Sequence, residues 1–257
     1  MKFIKYEIQV FFTALMFYTR IPCPAWVNHD AEYLNKATRY FPLVGWIVGG
    51  LVACTFYGSS FIFSKEVSLI FSFVISVLLT GAFHEDGFAD VCDGFGGGWT
   101  KEKILDIMKD SRVGAYGVIG IVILFLLKFV LLLNIETKFI PLVIFSAAAY
   151  SRFCAASFIY THQYVRENED SKSKPVAKSL NLANLIIAAV FGITALAVFQ
   201  CWYVFLLLIP VYIVKYFLGR YFVKWIGGYT GDCLGATQQI CEIAFFIFYI
   251  ALWKFIL

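Results

Sequence analysis

Residues Val113–Leu133 read V-G-A-Y-G-V-I-G-I-V-I-L-F-L-L-K-F-V-L-L-L, twenty-one residues with one charge, Lys128. A helix needs about 20 predominantly apolar residues to cross a bilayer, so this stretch predicts a span. Six more segments come close: Phe41–Phe63, Val67–Phe83, Phe139–Tyr160, Leu182–Phe199, Trp202–Leu218 and Ile240–Ile256. The chain is 61% hydrophobic and 15% charged, more apolar surface than a soluble core of this size can hide. The sequence therefore predicts an all-α, polytopic transmembrane helix bundle of about seven spans, forming one membrane domain over residues 1–257. Pro210 inside the sixth segment is tolerable where neighbouring helices satisfy the freed carbonyl. Lys128 and Lys215 are expected to snorkel from near the ends of their spans.

The uncharged run Ile8–Thr19 is short for a span, and Arg20 and Pro22 follow it where a signal peptide would have small residues. It reads as an interfacial or re-entrant helix. Cations gather in alternate loops: Arg20, Lys36 and Arg39; Lys101, Lys103, Lys109 and Arg112; Arg166, Lys172, Lys174 and Lys178; Arg220 and Lys224. The intervening loops hold only Lys65 and Lys138. The positive-inside rule puts the cationic set in the cytoplasm, and with it every polar motif below. The net charge of +4 points to no nucleic-acid partner. The seven cysteines form no C-x-x-C pair and read as small buried hydrophobes. Glycines at close-packing spacing, Gly45, Gly49 and Gly50, then Gly114, Gly117 and Gly120, read as helix–helix contacts.

Directly after the second apolar run comes His84-Glu85-Asp86-Gly87-Phe88-Ala89-Asp90-Val91-Cys92-Asp93-Gly94. On a helix, the spacing of Asp86, Asp90 and Asp93 places three carboxylates on one face. Four acids with no nearby Lys or Arg are costly at a bilayer's edge unless a cation joins them. All-oxygen ligands favour Mg²⁺, or Mn²⁺, over zinc. A solvated acidic helix end is the plainer alternative. A second cluster, Asp106-Ile107-Met108-Lys109-Asp110-Ser111-Arg112, could face the first across a short loop, and two facing clusters could hold two metals for a displacement at phosphorus. A surface salt bridge is the simpler reading there. Gly227-Gly228-Tyr229-Thr230-Gly231-Asp232-Cys233-Leu234-Gly235 could offer backbone amides to phosphate, or be a plain turn. Arg20, beside the membrane, and Arg152, inside the fourth segment, could each hold a substrate phosphate, and Arg152 could instead pair with a buried acid. His29 and His162 read as loop residues, and Arg166–Asn181 as a solvated loop or a cover over the site.

Four strings in order resemble the cobalamin synthase (adenosylcobinamide-GDP ribazoletransferase) family: F-Y-T-R-I-P-C-P at Phe17–Pro24, F-P-L-V-G at Phe41–Gly45, His84–Gly94 running into I-M-K-D-S-R-V-G-A-Y-G at Ile107–Gly117, and G-Y-T-G-D-C-L-G-A at Gly228–Ala236. The resemblance implies a Mg²⁺-dependent transfer between adenosylcobinamide-GDP and α-ribazole or its 5′-phosphate, with release of GMP. It carries over to His84, Asp86, Asp90, Asp93, Asp110, Arg112, Thr230 and Asp232. Asp86, Asp90, Asp93 and Asp110 would then hold the metal, and Asp93 or Asp110 would take the hydroxyl proton. Arg112 would stabilise the transition state, and Arg20, His84, Arg152, Thr230 and Asp232 would bind substrate. Glu85 falls at a variable family position, which implies a dispensable carboxylate. Such an enzyme would sit in a bacterial or archaeal inner membrane facing the cytoplasm, surrounded by lipid, and could form a homo-oligomer. Two competing readings are a phosphotransferase acting on CDP-alcohols, whose D-G-x-x-A-R string is absent here, and a cation transporter, which would place carboxylates near mid-membrane.

Overall fold

The computed structural model describes residues 2–27, 31–166 and 179–256. Among them are eleven α-helices: α1 (Lys2–Tyr18), α2 (Ala31–Ala37), α3 (Phe41–Ser59), α4 (Lys65–Thr80), α5 (Phe83–Gly97), α6 (Lys101–Ile107), α7 (Ala115–Leu133), α8 (Ile140–Thr161), α9 (Leu182–Thr194), α10 (Leu208–Ile226) and α11 (Gly231–Ile256). The only β pairing among the described residues is an isolated bridge between Tyr164 and Tyr229. Six helical segments are long and apolar enough to cross a membrane. A seventh crossing exists if α4 and α5, bent by 90° where they meet, are counted as one broken span. The protein is an all-α, multi-pass membrane protein.

α8 lies at the centre, buried almost throughout. It packs on α3 at very close range because Gly45 and Gly49 leave no room for a side chain; a Cβ on Gly45 would stand 2.6 Å from the Ala148 carbonyl oxygen. The apolar face of α7 formed by Val118, Ile119, Val122, Ile123 and Leu126 stays about half exposed.

Three segments differ from the sequence expectation. The second span does not run through to Phe83: Gly81 (φ +66°) and Ala82 (φ +58°) are both left-handed, so α4 stops at Thr80 and the acidic motif starts a helix of its own. Ala82 pays a steric cost there of roughly 1–2 kcal/mol, set against the closure of the site below. Pro210 falls in the first turn of α10, where a missing N–H costs little, after a 3-10 stretch over Trp202–Leu207. α11 begins at Gly231 instead of Ile240, so most of the glycine-rich motif is helical.

The two lysines do not snorkel. Lys128 points inward from α7 and donates to Glu242 Oε2 and Gln239 Oε1, each at 2.6 Å. Lys215 donates to Thr161 Oγ1 at 2.9 Å and lies 4.6 Å from the Phe158 ring centroid. Each has a hydrogen-bond partner on a neighbouring helix, which an ammonium on the lipid face would lack. His29 and residues 167–178, the bulk of the expected cover segment, lie outside the described residues.

Candidate active site

α5 carries the acidic face, and its four acids meet different fates. Asp93 is buried, and its carboxylate accepts the Gly114 amide at 2.7 Å and the Gly117 amide at 2.8 Å. Gly114 is the N-cap position of α7, so Asp93 caps that helix from a neighbour, where an anion also meets the positive end of the helix dipole. Side chains at Gly114 or Gly117 would strike that carboxylate. Asp86 is exposed and Asp90 half-buried, and neither side chain makes a hydrogen bond or ion pair with a described residue. Glu85 is buried and accepts 2.9 Å from Gln239, a placement unlike that of a dispensable surface carboxylate.

α11 brings a fifth acid. Gly87 sits so close to the Asp232 backbone that a Cβ would lie 3.0 Å from Asp232 Cα, and Gly235 meets the His84 carbonyl in the same way. The two helices thus touch through glycine and gather Asp90, Asp86 and Asp232 within one another's field, with Arg166 as the countercharge. Thr230 caps α11, its Oγ1 accepting the Cys233 amide at 3.3 Å and donating to Asp232 Oδ2 at 3.3 Å. Arg166 Nη2 reaches Asp232 Oδ2 at 3.1 Å and the Met108 carbonyl at 2.9 Å, tying α11 to the α6–α7 loop. The chain after α8 is pinned for this by reciprocal backbone bonds: Val165 N donates to Tyr229 O and Tyr229 N to Gln163 O, each at 3.0 Å. Arg166 entered the sequence reading only as a loop cation; its role depends on this bridge, which no local pattern announces.

Arg20 stands at the α4–α5 break. Its backbone N–H donates to the Leu79 carbonyl at 2.7 Å, and its side chain lies over Gly81 where a Cβ would be. Arg20 and Asp86 line an open cavity of about 560 Å³, together with Thr13, Thr19, Phe17 and Phe83. That is within the size range of small-molecule sites.

Asp110 joins no group of three acids that could hold a metal among the described residues. Asp110 and Arg112 hold each other, with Arg112 Nη2 2.7 Å from Asp110 Oδ2, and the Arg112 side chain is 87% exposed. Hydrogen bonds from Arg112 hold the Asp110 carboxyl at about 2, below its ordinary value. Because the folded value is depressed, any stability from this pair is present above the usual carboxylate range and lost as pH falls toward about 2. A carboxylate this acidic is a poor proton acceptor at neutral pH. Asp110→Asn is therefore expected to leave the acidic limb of the pH–rate profile unmoved between about pH 5 and 9; a displaced limb would return Asp110 to the role of base.

His84 and Arg152 are buried away from the open cavity. His84 stacks 5.6 Å from the Phe41 ring. Arg152 donates to the Ala148 carbonyl at 2.8 Å, and its guanidinium lies 5.7 Å from the same Phe41 ring. Both line a small internal cavity with Glu85 and Glu242.

Among the described residues no three His, Cys, Asp or Glu side chains converge closely enough to hold a metal ion. The donor set is nonetheless hard and all-oxygen. Mg²⁺ keeps several waters and takes one or two carboxylates together with substrate phosphates, so Asp86 and Asp90, whose side chains have no partner among the described residues, fit a site that the substrate completes.

A multi-pass helix bundle with a broken helix that lays Asp86 beside Arg20 in an open cavity has the form of a membrane-embedded enzyme. The sequence pattern of the cobalamin-5-phosphate synthase family matches residues 10–250, and the chain belongs to that family. It is 44% identical to the adenosylcobinamide-GDP ribazoletransferase of Shewanella frigidimarina over 249 residues, covering 95% of each chain. It is 46% identical to the protein of the same name from Shewanella oneidensis over 241 residues, covering 92% of each. No solved structure matches the chain.

Proposed function

We propose that this protein joins adenosylcobinamide-GDP to α-ribazole or its 5′-phosphate, releasing GMP, at the cytoplasmic face of the inner membrane. The observation that carries the reading is Asp86, which shares the cavity at the α4–α5 break with Arg20, and Asp90 one turn further along α5, both side chains without a partner among the described residues. The membership and names of its relatives support the substrates. The cations of the α6–α7 and α10–α11 ends, Lys101, Lys103, Lys109, Arg220 and Lys224, support the orientation.

In this reading Arg20 and Asp86 receive the diphosphate at the cavity mouth. Asp86 and Asp90 would hold Mg²⁺, which supplies neutralisation of the diphosphate and of the charge that builds on departing GMP. The ribazole 3′-oxygen attacks the cobinamide-side phosphorus. The new O–P bond forms as the bond to GMP breaks, and GMP leaves with the electron pair. Asp90, the deeper of the two, takes the hydroxyl proton on its free oxygen. Arg112, oriented by Asp110 at the rim, and Arg166, beside Asp232, offer guanidinium donors to phosphate.

Incubating purified protein with adenosylcobinamide-GDP, α-ribazole 5′-phosphate and Mg²⁺ should yield the joined cobamide and one GMP per turnover. Turnover of a CDP-alcohol with a lipid acceptor in place of these substrates would overturn the reading. Arg166→Ala should raise KM for adenosylcobinamide-GDP by about tenfold with a smaller change in kcat, because one charge-assisted contact contributes roughly 1.5–3 kcal/mol. An unchanged KM would confine Arg166 to holding Asp232.

A further inference from the structure

The reaction above leaves a set of buried charges unused, and they form one chain. Lys128 on α7 donates to Glu242 and Gln239 of α11. Gln239 Nε2 donates at 2.9 Å to Glu85 Oε1 on α5 and at 2.9 Å to Gln238 Oε1. Gln238 in turn donates to Ser151 Oγ on α8 at 3.0 Å. Four helices meet in this chain, and Glu85, Lys128 and Gln239 are all at least nine-tenths buried. Beside it lies a cavity of about 20 Å³ lined by His84, Glu85, Arg152, Gln238, Gln239 and Glu242. His84 Nε2, Glu85 Oε2 and Arg152 Nε are each buried without a hydrogen-bond partner among the described residues, and a cavity of this size suits one bridging water. The charges balance, Lys128 and Arg152 against Glu85 and Glu242.

Stability alone is a weak reason for such a chain. Hydrogen bonds between membrane helices contribute little on average, and apolar residues of the same volume often pack as well as a buried ion pair. Direction is what a hydrogen-bonded chain adds. Glu85 and Asp86 are neighbours, and successive residues on a helix point about 100° apart. Holding Glu85 against α11 therefore turns Asp86 toward the open cavity and, one turn on, Asp90 with it.

We propose that Gln239 and Glu85, anchored by Lys128 and Glu242, are positioning residues that fix the rotation of α5 and aim Asp86 and Asp90 at the substrate diphosphate. The inference rests on the transferase reading for its kinetic arm, and a second arm is independent of turnover. The test compares full-length wild type, Gln239→Leu and Glu85→Gln in lipid nanodiscs. It measures kcat and both KM values, Mn²⁺ affinity by electron paramagnetic resonance, and the thermal midpoint. Gln239→Leu breaks the chain without changing any charge. It should lower kcat and weaken Mn²⁺ binding by roughly 10–100-fold, as loss of an outer-shell partner does, with KM values within about threefold. Its thermal midpoint should fall, because the buried Glu85 carboxylate loses its donor, so kcat and Mn²⁺ affinity are read per folded molecule. Glu85→Gln keeps an oxygen for the Gln239 donor and should recover most of both losses. Wild-type kcat and Mn²⁺ affinity in Gln239→Leu would overturn the proposal. So would activity that falls only in step with the folded fraction, or a Glu85→Gln protein as impaired as Gln239→Leu. A wild type that does not turn over these substrates would instead refute the transferase reading, leaving the Mn²⁺ arm to decide the positioning.

Discussion

Asp90→Asn is expected to reduce ribazole transfer by about 10³-fold or more while leaving the amount of folded protein in the membrane unchanged. General-base catalysis alone contributes roughly 10²–10⁴-fold, and the same residue would lose its charge toward the metal–diphosphate. The Asp90 side chain makes no hydrogen bond or ion pair with a described residue, so the amide removes no such contact among them. Its removal also relieves repulsion with Asp86, Asp93 and Asp232. The measurement is GMP release per folded molecule, with the thermal midpoint taken alongside. A variant with a tenth or more of wild-type turnover would exclude Asp90 from the chemistry.

The contrast between Asp90 and Asp93 marks where the sequence stopped being informative. The i, i+4, i+7 spacing correctly put the carboxylates on a helix, because periodicity is a local property. What each carboxylate does depends on partners far along the chain: Asp93 is taken by amides 21 and 24 residues away, and nothing in its own neighbourhood distinguishes it from Asp90. The spans were legible for the same reason as the helix, since about 20 apolar residues are a length criterion read directly from sequence. The break at Gly81–Ala82 was not, because Leu-Leu-Thr-Gly-Ala-Phe continues the apolar run and Ala82 adopts the left-handed region only under tertiary constraint. Lys128 was legible in principle: it and Glu242 are opposite charges within two apolar segments, and such residues seldom occur unpaired. The snorkelling expectation treated each helix end by itself and missed the pair.

Asp93→Ala separates a structural carboxylate from a catalytic one, and the expected effect is on folding. Two charge-assisted bonds are lost at once, each contributing roughly 1.5–3 kcal/mol, so a loss of about 3–5 kcal/mol is expected. The two amides, Gly114 N–H and Gly117 N–H, would be left without their acceptor at the start of a helix that leads directly into the membrane. Water reaches that end poorly because Gly117 and Asp93 are both buried. Asp93→Asn should be intermediate, since its carboxamide oxygen can accept from one amide while its NH₂ faces the other. The ordering Asp93, Asn, Ala in thermal midpoint, with turnover per folded molecule falling far less than in Asp90→Asn, is the signature of a cap. The opposite pattern, Asp93→Ala with a wild-type midpoint and no turnover, would mean that the Asp93 carboxylate leaves the α7 amides during the reaction and works at the phosphate, as the sequence alone first suggests.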